Sequence, residues 1–360
     1  MGVFDLLDTG GHEDVTWGHD QRSGLRALVA VHSTALGPAL GGVRMRPYPD
    51  EHAALVDVLR LARGMTYKAA AAGLDLGGGK AVILGTPAGP EREAQLRAFG
   101  RLVDSLGGRY VTAEDVGTSQ ADMDLIRTET SHVTGVSENL GGSGDPSPAT
   151  ALGVLHAIAS VAEALWGGSS LEGRHVVVLG VGKVGSALVG HLTAAGAKVS
   201  VADIDPARVQ AMVEHHGVAP LAVADALTQS CDVLAPCALG AVFDATTIPR
   251  LGATAVCGSA NNQLAEALDA VRLADAGVLY APDYVVSSGG IINIAEELSP
   301  GGYDRDRATT AVGAVGRTTA RVLADAAQRG ITPLEAADQL AESRLDAASS
   351  RRRETETQPS

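Results

Sequence analysis

Residues 175–185 read HVVVLGVGKVG, an apolar run that breaks into glycines, and the placing of those glycines decides the fold of the chain's second half. Three valines and a leucine in a row fit a short strand buried on both faces, as strands of a parallel sheet are. The pattern recurs in VSVAD (199–203), DVLAP (232–236), ATAVCG (253–258) and GVLYAP (277–282), all at βαβ spacing. A doubly wound parallel sheet follows. Gly180, Gly182 and Gly185 sit between the first strand and the start of a helix, and Asp203 ends the next strand. In that context the three glycines serve, in turn, a tight bend, a close approach of backbone to a pyrophosphate, and contact between helix and strand. The helix start, with Lys183 and Val184, offers its backbone N–H groups to phosphates. Asp203 is placed to accept the adenosine ribose hydroxyls, and a 2′-phosphate would meet this carboxylate with Asp205 close by. NAD is therefore expected rather than NADP.

In such sheets ligands lie outside the carboxyl ends of the strands, which directs attention to three loops: Ala235 to Ala238, Gly258 to Asn262, and Val285 to Gly290. Asn261 and Asn262, if buried beside a cofactor, must find partners. The whole chain of 360 residues suits two domains, 45% hydrophobic and carrying a net charge of −14. That charge argues against nucleic acid, whose phosphates need a basic face. No cationic and apolar leader opens the chain and no run of eighteen apolar residues occurs, so neither export nor a membrane is expected and the reading is cytoplasmic. Cys231, Cys237 and Cys257 have no metal-site spacing and are read as small core residues. No metal is expected.

Residues 1 to 148 mix strands (25–33, 80–84, 110–113) with helices (about 51–71, 91–106 and 119–127), an α/β arrangement. The segment 141–148, GGSGDPSP, is the richest in Gly, Pro and Ser and reads as a hinge across which the second domain closes on the first. A helix starts near Ser147 with Pro148 in its first turn. The sheet domain then spans 149–331. Thr332-Pro333-Leu334-Glu335 is a capping box opening a helix over 332–348, expected to pack back near the hinge. The tail 349–360 has no apolar face and reads as disordered.

One stretch of the first half resists a bland reading. GLDLGGGKAVI (73–83) sets three glycines before Lys80, yet Leu74 and Ala81 stand where a phosphate loop needs glycine and a hydroxyl. What remains is a backbone in close approach to something, with Lys80 opening a buried strand.

Together with LGPALGGVR (36–44), GMTYKAAAAGLDLGGGKAVI (64–83), YVTAEDVGT (110–118), GDPSPATALGV (144–154), GSANNQL (258–264) and YAPDYVVSSGG (280–290), these motifs resemble the glutamate, leucine, phenylalanine and valine dehydrogenase group. The resemblance runs from about His12 to Leu345, with valine- and leucine-specific bacterial members most alike. It implies NAD-dependent, reversible oxidative deamination of an L-amino acid to a 2-oxo acid, ammonium and NADH. Lys68, aided by the Gly41 and Gly42 backbone, resembles the group that pairs with the substrate carboxylate; Lys80 resembles the catalytic lysine, and Asp115 the aspartate that handles the substrate amino group and its protons. Asn262 matches an asparagine near substrate and nicotinamide, while Thr150, Ala238 and Asn261 match cofactor-side positions. Members form dimers to octamers through the first domain, so a homo-oligomer is implied.

Chemistry is consistent with those roles. A lysine serves as a base near neutral pH only when burial and a like charge disfavour its ammonium, and Lys68 would supply the like charge. Neutral Lys80 could then take a proton from the water that attacks the iminium and return it as ammonia leaves. The glycines would let backbone and substrate crowd together while Lys80 stays on a rigid strand. The resemblance puts Leu40, Ala113, Thr134, Ile291 and Ile294 around the substrate side chain. An unpaired carboxylate there would cost several kcal/mol, which disfavours glutamate. Valine is the first expectation, with leucine and isoleucine next. A phenylalanine dehydrogenase is the alternative within the class, and an idle NAD-binding sensor the alternative outside it. One departure stands out: Ser287-Ser288-Gly289-Gly290 replaces the related Asn-Ala-Gly-Gly, a hydroxyl in place of an amide.

Overall fold

The computed structural model describes residues 2–238, 240 and 242–357. Contacts divide the chain into two compact units. The first gathers residues up to Asp145, 294–305 and those from Ala341 onward; the second gathers Pro146–Asn293 and Asp306–Leu340.

The first unit runs α1 (Val3–Gly10), β1 (Asp14–Asp20), β2 (Leu25–Ser33), β3 (Ala39–Arg46), α2 (Glu51–Ala71), β4 (Gly77–Leu84), α3 (Gly89–Ser105), β5 (Tyr110–Glu114) and α4 (Gln120–Arg127). Its sheet has the order β1-β2-β4-β3-β5. β2 lies antiparallel to β1 and β4, whereas β3 runs parallel to β4 and β5. Asp50 caps α2 by accepting the Ala53 N–H at 2.7 Å. The helix then buries Ala54, Leu55, Val58, Leu59 and Ala62, at helical spacing, against Leu28, Ala30 and Val82. The opposite face packs Leu96, Phe99 and Val103 of α3 and Met123 and Ile126 of α4 on Val29, Ala81 and Ile83.

The second unit begins with α5 (Ser147–Trp166) and continues β6 (His175–Leu179), α6 (Lys183–Ala194), β7 (Lys198–Ala202), α7 (Pro206–His216), β8 (Ala219–Pro220), β9 (Cys231–Pro236), β10 (Ala253–Val256), α8 (Asp269–Asp275), β11 (Leu279–Tyr280), α9 (Asp283–Val286) and α10 (Gly289–Ala295). The six strands are all parallel, in the order β11-β10-β9-β6-β7-β8. Their core joins Val177, Leu234, Val256, Phe243 and Tyr280. By length and hydropathy α5 could cross a membrane, the one such helix among the described residues; Ala151, Val154, Ile158 and Val161 bury it in this unit's core.

Three helices close the chain: α11 (Arg305–Val312), α12 (Ala314–Arg329) and α13 (Pro333–Thr357). The Thr332 hydroxyl accepts the Glu335 N–H at 3.2 Å, as the capping box requires. Residues 294–305 return to the first unit because Glu297 Oε1 accepts the N–H groups of Gly135 and Ser143, at 2.9 and 2.8 Å. The helix from residue 333 also runs past 349, where the sequence suggests a disordered tail. A helix already nucleated propagates cheaply through Ala, Arg and Glu even without an apolar face. Residues 358–360 of that tail lie outside the described residues.

Candidate functional site

In the first unit, register assembles the chemistry. Leu40 lies opposite Gly78 and Val43 opposite Ala81, a constant offset that sets Gly42 beside Lys80, while Gly42 faces Ala113 on β5. Lys80 and Ala113 therefore share one level of the sheet and project toward the face that α2 covers. Lys80 is only 6% exposed. Its Nζ stands 3.3 Å from Asp115 Oδ2, just beyond β5. The same carboxylate oxygen accepts from Arg44 Nε at 2.8 Å, and Arg44 reaches on to Asp57 Oδ2 of α2 at 3.1 Å. The Tyr48 hydroxyl donates to that Asp57 oxygen at 2.8 Å. Burial pushes the Asp115 carboxyl up, but Lys80 and Arg44 outweigh it and hold the group below the usual carboxylate range. For Arg44, burial works against the charge, and Asp115 and Asp57 more than offset it.

Lys68 follows Asp57 by eleven residues on α2, which at 3.6 residues per turn brings it back to the same stripe three turns on. Gly41 and Gly42 are fixed from behind, for the buried Tyr110 hydroxyl donates to the Gly41 carbonyl. A Cβ at Gly42 would meet Glu114 O at 2.4 Å and Asp115 Cβ at 2.9 Å, so glycine there is what lets Asp115 stand beside the strand. Leu40, Thr134 and Ala113 are 0, 0 and 3% exposed, and Ile294 is 8% exposed in the same unit. Ile291 belongs to the second unit.

The glycines before Lys80 serve a purpose other than the expected one. β4 begins at Gly77, so all three lie within a central strand. A Cβ on Gly78 would stand 2.0 Å from Thr66 N, and one on Gly79 2.8 Å from the Tyr110 ring. The crowding is of protein against protein, α2 and Tyr110 against β4. Sequence reasoning also missed Arg44, Asp57 and Glu297. The signals for two were present: Arg44 stands two residues after Gly42, hence on the same strand face, and Asp57 shares the Lys68 stripe. Glu297 gave no signal, because its partners are backbone groups more than 150 residues away in sequence.

In the second unit the glycine turn forms as the spacing requires. Gly180 adopts φ +98°, and a Cβ there would come within 2.7 Å of Ala238 N. One on Gly185 would lie 2.0 Å from Gly180 O, so helix and strand touch. At Gly182, the N-cap of α6, no side chain caps the helix and an added Cβ would meet nothing nearer than Arg208 Nη1 at 3.8 Å. That room, facing uncapped N–H groups, fits a pyrophosphate. Asp203 accepts from Val181 N at 2.7 Å and Asp205 N at 2.9 Å, which fixes its carboxylate beside the turn. Lys183 and Val184 form the first turn of α6.

Asn262 is the one non-glycine with positive φ among the described residues, +54°. Asn261 and Asn262 are exposed, not buried, because the anchor of their loop is the next residue: Gln263 is fully buried and donates to Gly258 O and Ala260 O at 2.9 and 3.0 Å. Ser287 Oγ lies 3.5 Å from Asn261 Oδ1, while Ser288 donates to Val285 O. The Thr150 hydroxyl donates to Pro146 O at 3.0 Å. Burial pushes the Cys231 thiol up to about 12, as suits a core residue.

Comparison with known proteins defines the class. The family described as Glu/Leu/Phe/Val dehydrogenase, dimerisation domain, matches residues 13–132, and Glutamate/Leucine/Phenylalanine/Valine dehydrogenase matches 141–209 and 200–352. The chain belongs to this family and is an amino acid dehydrogenase, an oxidoreductase acting on CH–NH2 donors. It is 47% identical to a leucine dehydrogenase of Bacillus subtilis (strain 168), over 96% of this chain and 94% of that one. To a valine dehydrogenase of Streptomyces virginiae it is 51% identical, over 96% and 98%. The crystal structure of L-tryptophan dehydrogenase from Nostoc punctiforme superposes with a TM-score of 0.84 at 39% identity, covering 96% of this chain and 99% of that chain. The chain is thus similar to branched-chain amino acid dehydrogenases at about half identity.

Proposed function

We propose that the protein catalyses the reversible, NAD-dependent oxidative deamination of a branched-chain L-amino acid, with valine ahead of leucine and isoleucine. The observation that carries this reading is the pair of buried Lys80 and half-buried Asp115, level with Gly42 and on the sheet face beneath α2, the helix that bears Lys68. The room at Gly182 and the fixed Asp203 carboxylate fit a dinucleotide without a 2′-phosphate. NAD bound there supplies the hydride acceptor. Lys68 and the Gly41–Gly42 backbone bind the substrate carboxylate, and Asp115 faces the cationic amino group. Lys80 takes the proton of the water that attacks the iminium carbon, then gives it up as ammonia departs. Asn261, Asn262 and Thr150 keep the cofactor and substrate roles that the resemblance implies.

Leu40, Ala113, Thr134 and Ile294, all of the first unit, are assigned to the substrate side chain and offer a γ-carboxylate no charged partner; Ile291 has that assignment from the resemblance alone. One methylene is worth about 1–3 kcal/mol in a hydrophobic pocket, so the preference within the branched-chain group is modest. The dimerisation-domain match over 13–132 supports a homo-oligomer built through the first unit. NADH absorbance on incubation with NAD and L-valine, L-leucine, L-isoleucine or L-phenylalanine tests the reading. The expected order of kcat/KM is valine, then leucine and isoleucine, then phenylalanine; phenylalanine in front would replace the substrate assignment, and silence on all four would end the reading.

A further inference from the structure

Arg44 lies outside the groups assigned above, yet its side chain is only 16% exposed, enclosed between Asp115 at 20% and Asp57 at 16%. We propose that Arg44 is a positioning residue for the deamination, the permanent counter-ion that keeps Asp115 paired and in place while Lys80 loses and regains its proton. This rests on the reading that Lys80 and Asp115 carry the chemistry.

Lys80 and Arg44 converge on a single oxygen, Asp115 Oδ2, at 3.3 and 2.8 Å. A base must spend part of each cycle uncharged. Were Lys80 the sole cation at Asp115, its deprotonation would leave a half-buried carboxylate without a counter-ion, an unfavourable state. Each proton transfer would then carry that penalty. A guanidinium does not deprotonate in proteins, so Arg44 holds Asp115 through both halves of the cycle. Its second hydrogen bond, to Asp57, which Tyr48 also grips, fixes the guanidinium to α2 rather than leaving it to follow the substrate. Arg60 also pairs with Asp57, at 3.3 Å, so Asp57 is shared between two guanidinium groups while Asp115 has Arg44 and Lys80. The groups facing Asp115 are Lys80 from β4, Arg44 from β3, Tyr110 from β5 and, through Arg44, Asp57 of α2.

The test compares Arg44→Gln, Arg44→Lys and Asp57→Asn with wild type, reading kcat against pH, and NADH binding by fluorescence as the check that the fold stands. Arg44→Gln should lose about 10²-fold in kcat. Its ascending pH limb should move to alkaline pH by about one unit, since Lys80 must then give up its proton against the full pull of Asp115. Arg44→Lys should restore the limb while recovering only part of kcat, for a lysine brings the charge without the fork to Asp57. Asp57→Asn should lose kcat several-fold and move the limb by a smaller amount toward acid pH, since the lost carboxylate leaves the Arg44 charge uncompensated. An unmoved limb in Arg44→Gln overturns the proposal, whatever happens to kcat. Should Arg44→Gln yield no folded enzyme, Asp57→Asn decides by the same criterion. Asp115→Asn and Lys80→Ala separate the two levels: activity in either removes the underlying reading, whereas their silence beside an unmoved Arg44→Gln limb removes only the role of Arg44.

Discussion

The chain has two glycine-rich stretches that look alike on paper and act in opposite ways. In Gly180-x-Gly182-x-x-Gly185 two of the glycines are needed where protein crowds protein, yet the middle one opens onto free space at an uncapped helix start. In Gly77-Gly78-Gly79 every glycine is filled by a neighbour of the same unit, with Ser33 O, Thr66 N and the Tyr110 ring standing where a Cβ would go. A missing side chain therefore makes room for a ligand in one place and for a helix in the other. Local spacing reveals the first, because a turn between strand and helix is a matter of a few residues. The second is set by partners on other elements, which local spacing does not contain.

The largest effect expected from this contrast concerns the residue that follows the second stretch. Lys80→Ala should lower turnover by about 10³-fold while NADH affinity stays within about twofold, because the cofactor turn belongs to the other unit. Retention of more than a tenth of the activity, or a parallel loss of NADH binding, would break the division of labour between the two stretches.

A paired substitution sharpens the contrast itself. Gly78→Ala puts a methyl 2.0 Å from the Thr66 backbone nitrogen, which cannot move without α2, and should cost about 3 kcal/mol of stability. Gly182→Ala should leave thermal stability nearly unchanged, since φ −70° and ψ −161° are open to alanine, and should weaken NADH binding about tenfold by filling the phosphate approach. Thermal melts and fluorescence titrations of both variants separate the two effects. A cofactor defect in Gly78→Ala with normal stability would reverse the assignments.

The same physics explains what was legible. The second unit announced itself because its strands, such as Val176 to Leu179, are continuous apolar runs separated by turn signals, and a parallel sheet buries both faces. In the first unit the strand over 25–33 and the helix over 51–71 were equally plain. β1 and β3 escaped periodicity: Trp17 on β1 is 50% exposed at the sheet edge, and Gly41 and Gly42 dilute the apolar signal of β3. The site residues came from motif resemblance. The bonds between them, Arg44 to Asp115 and Asp57 above all, arise from register between β3, β4 and β5 and from the phase of α2, which only the folded sheet fixes. The carboxylate against Lys80 is the clearest case, for burial and a second cation were expected around that amine, and an ion pair at 3.3 Å was found beside it.

Thr66, which Gly78 must clear, has a second neighbour that yields a pH prediction. His32 Nδ1 lies 2.9 Å from Thr66 Oγ1, and the His12 ring stands edge-on at 4.8 Å. Burial, with His12 and Arg63, pushes His32 down to about 4 from its ordinary 6.5. The folded state thus binds this proton more weakly than the unfolded chain. The stabilisation is fully present above about pH 6.5 and is lost as pH falls toward 4, at most about 3 kcal/mol in all. Urea midpoints between pH 7.5 and 4.5 should therefore fall more steeply for wild type than for His32→Asn, which has nothing to protonate. Parallel slopes would show that the α2–β4 contact does not feel this histidine.

The smallest effect tests the ligand-facing stretch where charge, rather than room, does the selecting. Asp203 accepts two backbone N–H groups, which hold its carboxylate beside the turn, where a 2′-phosphate would have to sit. Asp203→Asn preserves shape and one acceptor but removes the charge, so like-charge repulsion disappears while the grip on ribose hydroxyls weakens. The ratio of kcat/KM for NAD over NADP should fall about tenfold, roughly 1.4 kcal/mol, through both weaker use of NAD and better use of NADP. An unchanged ratio at unchanged melting temperature would mean that Asp203 braces the Val181 backbone without choosing the cofactor. The first glycine of the turn would then owe its position to this carboxylate, and the room at Gly182 alone would be left to recognise the phosphates.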